Sequence, residues 1–139
     1  VLKYMLDTNI CIYVIKRRPV EVLETFNKYA GLMCISSITY AELCHGVEKS
    51  TRPEQNRQAV EDFVSRLTVL PYCEKSAQHY GEIRAELEKK GTPIGVNDLH
   101  ISAHARGEGF TLITNNLREF ERVAGLRLDN WLKGLSSIK

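Results

Sequence analysis

The sequence predicts an α/β chain, an α/β/α sandwich around a central, mainly parallel sheet of four to five strands. Three observations carry that expectation. Short apolar runs of strand length alternate with longer stretches of helical period throughout the 139 residues. Most junctions hold a proline, a glycine or a capping residue. Strands that alternate with helices pair in parallel, because each crossover returns the chain to the same end of the sheet. No repeat, linker or low-complexity run interrupts the pattern, and residues 1–139 are read as a single domain.

Leu2 to Leu6 reads as a short buried strand, followed by a helix from Asn9 to Arg17 that Pro19 ends. Val20 to Tyr29 forms a second helix with Val20, Leu23 and Phe26 on one face, and Gly31 breaks it. Leu32 to Ser36 is the second strand, and Ser37 is placed to cap the helix carrying Glu42. Pro53 fits the first turn of a helix whose apolar stripe is Val60, Phe63, Val64 and Leu67. Thr68 to Leu70 is the third strand. Glu74 to Lys90 is a long amphipathic helix with Ala77, Tyr80, Ile83 and Leu87 at helical spacing, stopped by Gly91. A turn-rich loop from Thr92 to Val96 leads to Asn97, a good cap for a helix beginning near Asp98 and ending at Gly107 and Gly109. Phe110 to Ile113 is the fourth strand, Leu117 to Val123 a short helix, and Leu126 to Leu128 an edge strand.

A composition of 43% hydrophobic residues is enough to bury a real core. The 19 basic and 17 acidic side chains leave a net charge of +2, too mild to identify a nucleic-acid partner on its own. Lys16-Arg17-Arg18 is the densest basic cluster, and a solvated helix end explains it as well as a phosphate contact does. Cys11, Cys34, Cys44 and Cys73 include no C-x-x-C pair, and the first two lie in apolar runs as small buried hydrophobes. Nothing resembles a signal peptide or a membrane span, so a reducing cytoplasm is the expected home.

Four polar positions stand out. Asp7 closes the strand run Tyr4-Met5-Leu6, Glu42 sits in Ser36-Ser37-Ile38-Thr39-Tyr40-Ala41-Glu42-Leu43, Asp98 opens a helix, and Asn116 follows Leu112-Ile113-Thr114-Asn115. The C-terminal ends of parallel strands are where such sheets bind ligands, and the predicted topology permits all four to meet there. Each has a bland alternative: Asp7 or Thr8 as a helix cap, Glu42 on a solvated face, Asp98 as a charge at a helix N-terminus. Converging carboxylates repel one another, and a hard cation such as Mg²⁺ or Mn²⁺ would hold them together. A carboxylate-held ion at a sheet edge points to phosphoryl chemistry.

The segments that carry these positions have a familiar form. Met5-Leu6-Asp7-Thr8-Asn9, Ser36 to Leu43 with Gly46, Pro93-Ile94-Gly95-Val96-Asn97-Asp98 with Ile101 and His104-Ala105, and Thr114 to Phe120 occur in one order across nearly the whole chain. In this the chain resembles the PIN-domain ribonucleases, in particular the VapC toxins of bacterial toxin–antitoxin pairs. The resemblance implies a PIN-like sandwich and an endoribonuclease dependent on Mg²⁺ or Mn²⁺. Asp7, Glu42 and Asp98 match the acidic, metal-binding positions, and Asn116 stands where aspartate is common. Thr8 and Thr114 match hydroxyls that orient the acids. Glu119 is a candidate replacement carboxylate, against the simpler reading that it is solvated. The expected products carry 5′-phosphate and 3′-hydroxyl ends. A VapB-type antitoxin, a homodimer, and a larger assembly touching operator DNA only through the antitoxin are implied partners. The leading substrate is tRNA, specifically the anticodon loop of initiator tRNA.

Other readings are weaker. Lys16, Arg17 and Arg84 are guessed phosphate contacts from charge alone. His100 and His104 have a zinc-compatible spacing but would need His45 or His79 to converge on them. Asp7-Thr8-Asn9 opens like a haloacid-dehalogenase-type phosphatase, but Asn9 stands where that chemistry needs an aspartate. No glycine-rich phosphate loop is present. Asn116 also motivates a second function, an RNA-binding module with little cleavage.

Overall fold

Strands β1 (Tyr4–Leu6), β2 (Met33–Ser36), β3 (Thr68–Leu70), β4 (Thr111–Ile113) and β5 (Arg127–Asp129) form one sheet in the computed structural model, which describes residues 1–132. Their order is β3-β2-β1-β4-β5, and every neighbouring pair is parallel. Seven helices connect them: α1 (Thr8–Lys16), α2 (Val20–Lys28), α3 (Ser37–Glu48), α4 (Pro53–Val64), α5 (Glu74–Lys89), α6 (Val96–Glu108) and α7 (Leu117–Phe120). The expectation of residues 1–139 as one domain includes 133–139, which lie outside the described residues. No helix among the described residues is long and apolar enough to cross a membrane.

Alternation along the strands makes the layers. Leu6, Met33, Ile35 and Ile113 face a core built with Ile10 and Val14 of α1, Val22 and Phe26 of α2, Leu43 of α3 and Phe63 of α4. Met5, Cys34 and Leu112 face the other way, onto Ile101 and Ala105 of α6 and Phe120 of α7. A third cluster joins Ile83 and Leu87 of α5 to Leu99 and Ala103 of α6. Adjacent residues of a strand point to opposite faces, so a strand covered on both sides must be apolar at every position. Cys11 and Cys34 are buried as expected, and all four cysteines are free thiols.

Several boundaries differ from the expected ones, each for a local reason. Ser36, not Ser37, caps α3: its hydroxyl accepts from the Ile38 N–H at 3.1 Å, while Ser37 Oγ accepts from the Tyr72 N–H. Gly95 holds the cap position of α6, which places Asn97 inside the first turn with its side chain free for other work. Gly107 continues α6 instead of ending it. A Cβ there would lie 3.3 Å from the His79 ring, so this glycine permits the close approach of α5 and α6. Gly109, with φ of 78°, is the true terminator. The helix after Asn116 stops at Phe120, short of Val123.

The sheet order reverses direction at β1. From there the chain moves first to β2 and β3, then back to β4 and β5 on the other side. Beyond the carboxyl ends of β1 and β4, the crossovers diverge and leave a crevice.

Candidate active site

Asp7 ends β1 at the mouth of this crevice and is only 4% exposed. Its Oδ1 accepts from the Ile10 N–H at 2.9 Å, so it does cap α1. Burial nevertheless pushes its carboxyl upward, against the hydrogen bonds from Thr114 and Ile10, and the charge of Glu42 adds to the rise. A cap facing water would carry no such penalty. The cap is therefore also a buried carboxyl facing Glu42.

Glu42 stands one and a half turns into α3 and arrives with both oxygens engaged. Thr8 Oγ donates to Oε1 at 2.5 Å, and Asn97 Nδ2 donates to Oε2 at 2.8 Å. Asp98, in the first turn of α6, is half-buried. Burial, then the hydrogen bond and charge of Glu119, then the charges of Asp7 and Glu42, push its carboxyl up to about 7. Glu119 goes the other way. Burial raises it, but the Gly95 N–H at 3.2 Å, the Asn116 amide at 3.1 Å and the Asp98 carboxyl together hold it below the usual carboxylate range. Two carboxyls in contact cannot both ionise cheaply, so the contact raises Asp98 while its hydrogen bonds lower Glu119.

The structure thus brings Asp7, Glu42 and Asp98 within reach of one another's charge and sets Glu119 against Asp98, with Thr8, Thr114 and Asn116 among them. Asn116 points its amide nitrogen at Glu119, and its backbone N–H donates to Thr114 Oγ at 2.9 Å. Glu119, three residues on from Asn116, places a carboxyl beside Asp98. Two contributors escaped the sequence reading. Asn97, a good cap by type, instead holds Glu42. Gly95 was read as loop but donates its N–H to Glu119, and a Cβ on it would lie 3.9 Å from Asp98 Oδ2. Their position immediately before Asp98 was the available signal.

Among the described residues, no three His, Cys, Asp or Glu side chains close to metal-ligand spacing. The acids neighbour one another without collapsing together. The donor set still fits a hard divalent cation, since it is all oxygen and its burial and mutual repulsion leave Asp7 and Asp98 short of compensating charge. The histidines have other partners. His100 Nδ1 lies 2.9 Å from the Tyr72 hydroxyl and its ring stacks on Tyr80, while His104 is buried against Ser36. Of the guessed phosphate contacts, Lys16 lines a groove that reaches Glu42, Arg17 faces a separate cleft with Gln55 and Arg66, and Arg84 is engaged by Glu88 and Tyr80.

Comparison with known proteins agrees with this geometry. The family model described as PIN domain matches residues 4–126. The chain is 64% identical over 131 residues to Ribonuclease VapC2 of Haemophilus influenzae, covering 94% of this chain and 99% of that protein. It is 55% identical to the tRNA(fMet)-specific endonuclease VapC of Shigella flexneri, over 94% of this chain and 98% of that one. Among solved structures, the DNA-bound VapBC complex of Salmonella typhimurium superposes with a TM-score of 0.91 at 53% identity, covering 94% of this chain and 99% of the other. VapBC-1 of nontypeable Haemophilus influenzae gives 0.86 at 41% identity, covering 95% and 100%. Sheet order, acidic crevice and relatives converge, and the chain belongs to the PIN-domain family, in its VapC ribonuclease branch.

Proposed function

We propose that this chain is the toxin of a VapBC-type pair, an endoribonuclease that hydrolyses tRNA phosphodiesters in the bacterial cytoplasm and so arrests translation and growth. The observation that carries the reading is the gathering of four carboxyls at the sheet switch point, Asp7 buried there and Glu42 and Glu119 held by side-chain and backbone donors. Asp7, Asp98 and Glu42 would hold Mg²⁺ or Mn²⁺. Bound there, the ion supplies the charge stabilisation and water activation that phosphodiester hydrolysis needs.

The chain's own residues prepare that site. Thr114 and the Ile10 N–H fix Asp7, while Thr8 and Asn97 fix both oxygens of Glu42. A cation held there would favour the ionised form of Asp98, whose carboxyl is raised by burial and by Glu119, and so occupancy would depend on pH. Asn116 and the Gly95 N–H hold Glu119 beside Asp98. Glu119 therefore serves as the fourth carboxylate, which weighs against a module that only binds RNA. No nucleophilic side chain is required, and products with 5′-phosphate and 3′-hydroxyl ends are expected.

The names of the Shigella and Salmonella relatives favour initiator tRNA as substrate, cut in its anticodon loop. The VapBC complexes favour a VapB-type antitoxin. A groove of about 300 Å³, walled by Ile12, Ile15, Leu43, Val47 and Val60, opens beside Thr8 and Glu42, so a bound apolar segment would cover the site as well. Toxin dimers, and assemblies on operator DNA contacted through the antitoxin, complete the proposal. The test is incubation of the purified chain with total bacterial tRNA in Mg²⁺, Mn²⁺ or EDTA, alongside Asp7→Asn. One discrete cut requiring both ion and Asp7 is the expected result. No metal-dependent cut in any RNA by the folded, antitoxin-free protein would overturn it.

A further inference from the structure

The two helices that deliver Glu42 and Asp98 are joined by polar contacts where aliphatic packing would be the cheaper choice. Ser36 and Thr39, at the start of α3, and Ser102 and His104, on α6, are each at most 1% exposed. Burying hydroxyls and an imidazole costs free energy that apolar side chains of the same size would not. Among the described residues, Thr39 Oγ1 and Ser102 Oγ have no hydrogen-bond partner. Ser36 and His104 do: Oγ and Nδ1 lie 2.8 Å apart. Such a bond supplies direction, because it forms at one register of the two helices and is lost at others.

Ser36 is also the cap of α3, accepting from the Ile38 N–H. One hydroxyl therefore joins the end of β2, the first turn of α3 and the middle of α6. Tyr72 backs the junction: its ring meets His104 edge-on at 5.6 Å, and its N–H donates to Ser37 Oγ. Glu42 lies six residues after Ser36, and Asp98 six residues before His104. Each acid is thus about 9 Å along its helix from the same bond. At the outer end the helices are tied again, by Asn97 to Glu42.

We propose that His104 is a positioning residue of the acidic centre: its bond to Ser36 sets the register of α6 against α3 and thereby the spacing of Asp98 from Glu42. The inference rests on reading those acids as ion ligands, as proposed above. It is tested by Mn²⁺ binding to the purified chain, followed by electron paramagnetic resonance without RNA, for wild type, His104→Leu, His104→Asn, Ser36→Ala, the Leu/Ala double variant and Asp98→Asn. His104→Leu and Ser36→Ala are expected to weaken Mn²⁺ binding about tenfold, the size seen when a group that orients metal ligands is removed. The double variant is expected to be no worse than the poorer single one. His104→Asn, whose short amide reaches the place of Nδ1, is expected to recover most of the affinity. A role in packing alone would lower the melting temperature and leave the ion affinity of the folded protein unchanged.

Folded His104→Leu or Ser36→Ala that binds Mn²⁺ as tightly as wild type, while Asp98→Asn does not, overturns the inference alone. If His104→Leu fails to fold, Ser36→Ala removes the same bond from the other side and decides. Wild type and Asp98→Asn binding alike would remove the ion-site reading and this inference with it.

Discussion

Glu42 reaches the crevice with neither oxygen free, and its two donors come from opposite directions in the chain, Thr8 from α1 and Asn97 from α6. Asn97→Ala releases one oxygen while leaving the backbone of α6 intact. Cleavage by that variant is expected to fall about tenfold, measured as single-turnover rate on tRNA, since removing a group that orients a ligand typically costs that much or more. Asp7→Asn keeps a side-chain oxygen for the cap but loses the charge. It is expected to remain folded, by circular dichroism, and to lose at least about a hundredfold in rate, the lower range for loss of a group acting directly in hydrolysis. Retained activity in Asp7→Asn would show that its only role is the cap on α1. Glu119→Gln tests the replacement at position 116. It keeps an acceptor for the Gly95 N–H but cannot supply the charge, and a rate equal to wild type would assign the site to three acids.

At the scale of elements, α5 and α6 share the most extensive helix–helix contact among the described residues, and Gly107 lets His79 of α5 approach the backbone of α6. Gly107→Ala gains helix propensity, about 1 kcal/mol at most. It also drives a methyl group toward the His79 ring, which Arg106 holds in place through a 2.9 Å bond to Nδ1. Overpacking of this kind costs about 1–3 kcal/mol, so a net loss near 1 kcal/mol is expected in urea unfolding. The same contact explains why Gly107 looked like a helix terminator in the sequence: glycine signals both an end and a close approach, and only the packing tells them apart. Strands β1, β2 and β4 and the long helices were legible because burial on both faces writes continuous apolar runs, and burial on one face writes a 3.6-residue period; the edge strand β3 showed only as the short run Thr68-Val69-Leu70. Asp7, Glu42 and Asp98 were legible as acids in strand-end and helix-start positions. The work of Asn97 and Gly95 was not, because each acts through a contact with a residue far away in the chain. Good cap residues such as Ser37 and Asn97 look alike in sequence whether they cap or reach elsewhere.

For the molecule as a whole, the buried acids make stability depend on pH and on divalent ions together. Asp98 and Asp7 have pKa values raised by folding, so the folded chain binds more protons than the unfolded one above the unfolded carboxylate value of about 4. Stability contributed by these groups is present at low pH and is lost as pH rises toward about 7. His100 and His104, both depressed by burial, act in the opposite sense below about 6.5, so the comparison must be made against Asp98→Asn. In EDTA, wild type is expected to lose melting temperature relative to Asp98→Asn between pH 4 and 7. In Mg²⁺ that relative loss is expected to vanish and wild type to become the more stable at pH 8, because an ion bound only by the folded state stabilises it. Equal Mg²⁺ responses in the two proteins would count against Asp98 as a ligand.

The central strand of the sheet comes first in the chain, and the strand beside it that completes the crevice comes almost last. Asp7 leaves the ribosome early, yet Thr114, Asn116 and Glu119 must follow it out before the fourth carboxylate can stand beside Asp98. A chain still being synthesised therefore lacks the assembled acidic group until β4 and α7 have followed β1 out. The order of the strands places assembly of that group after both flanks of β1 have been made.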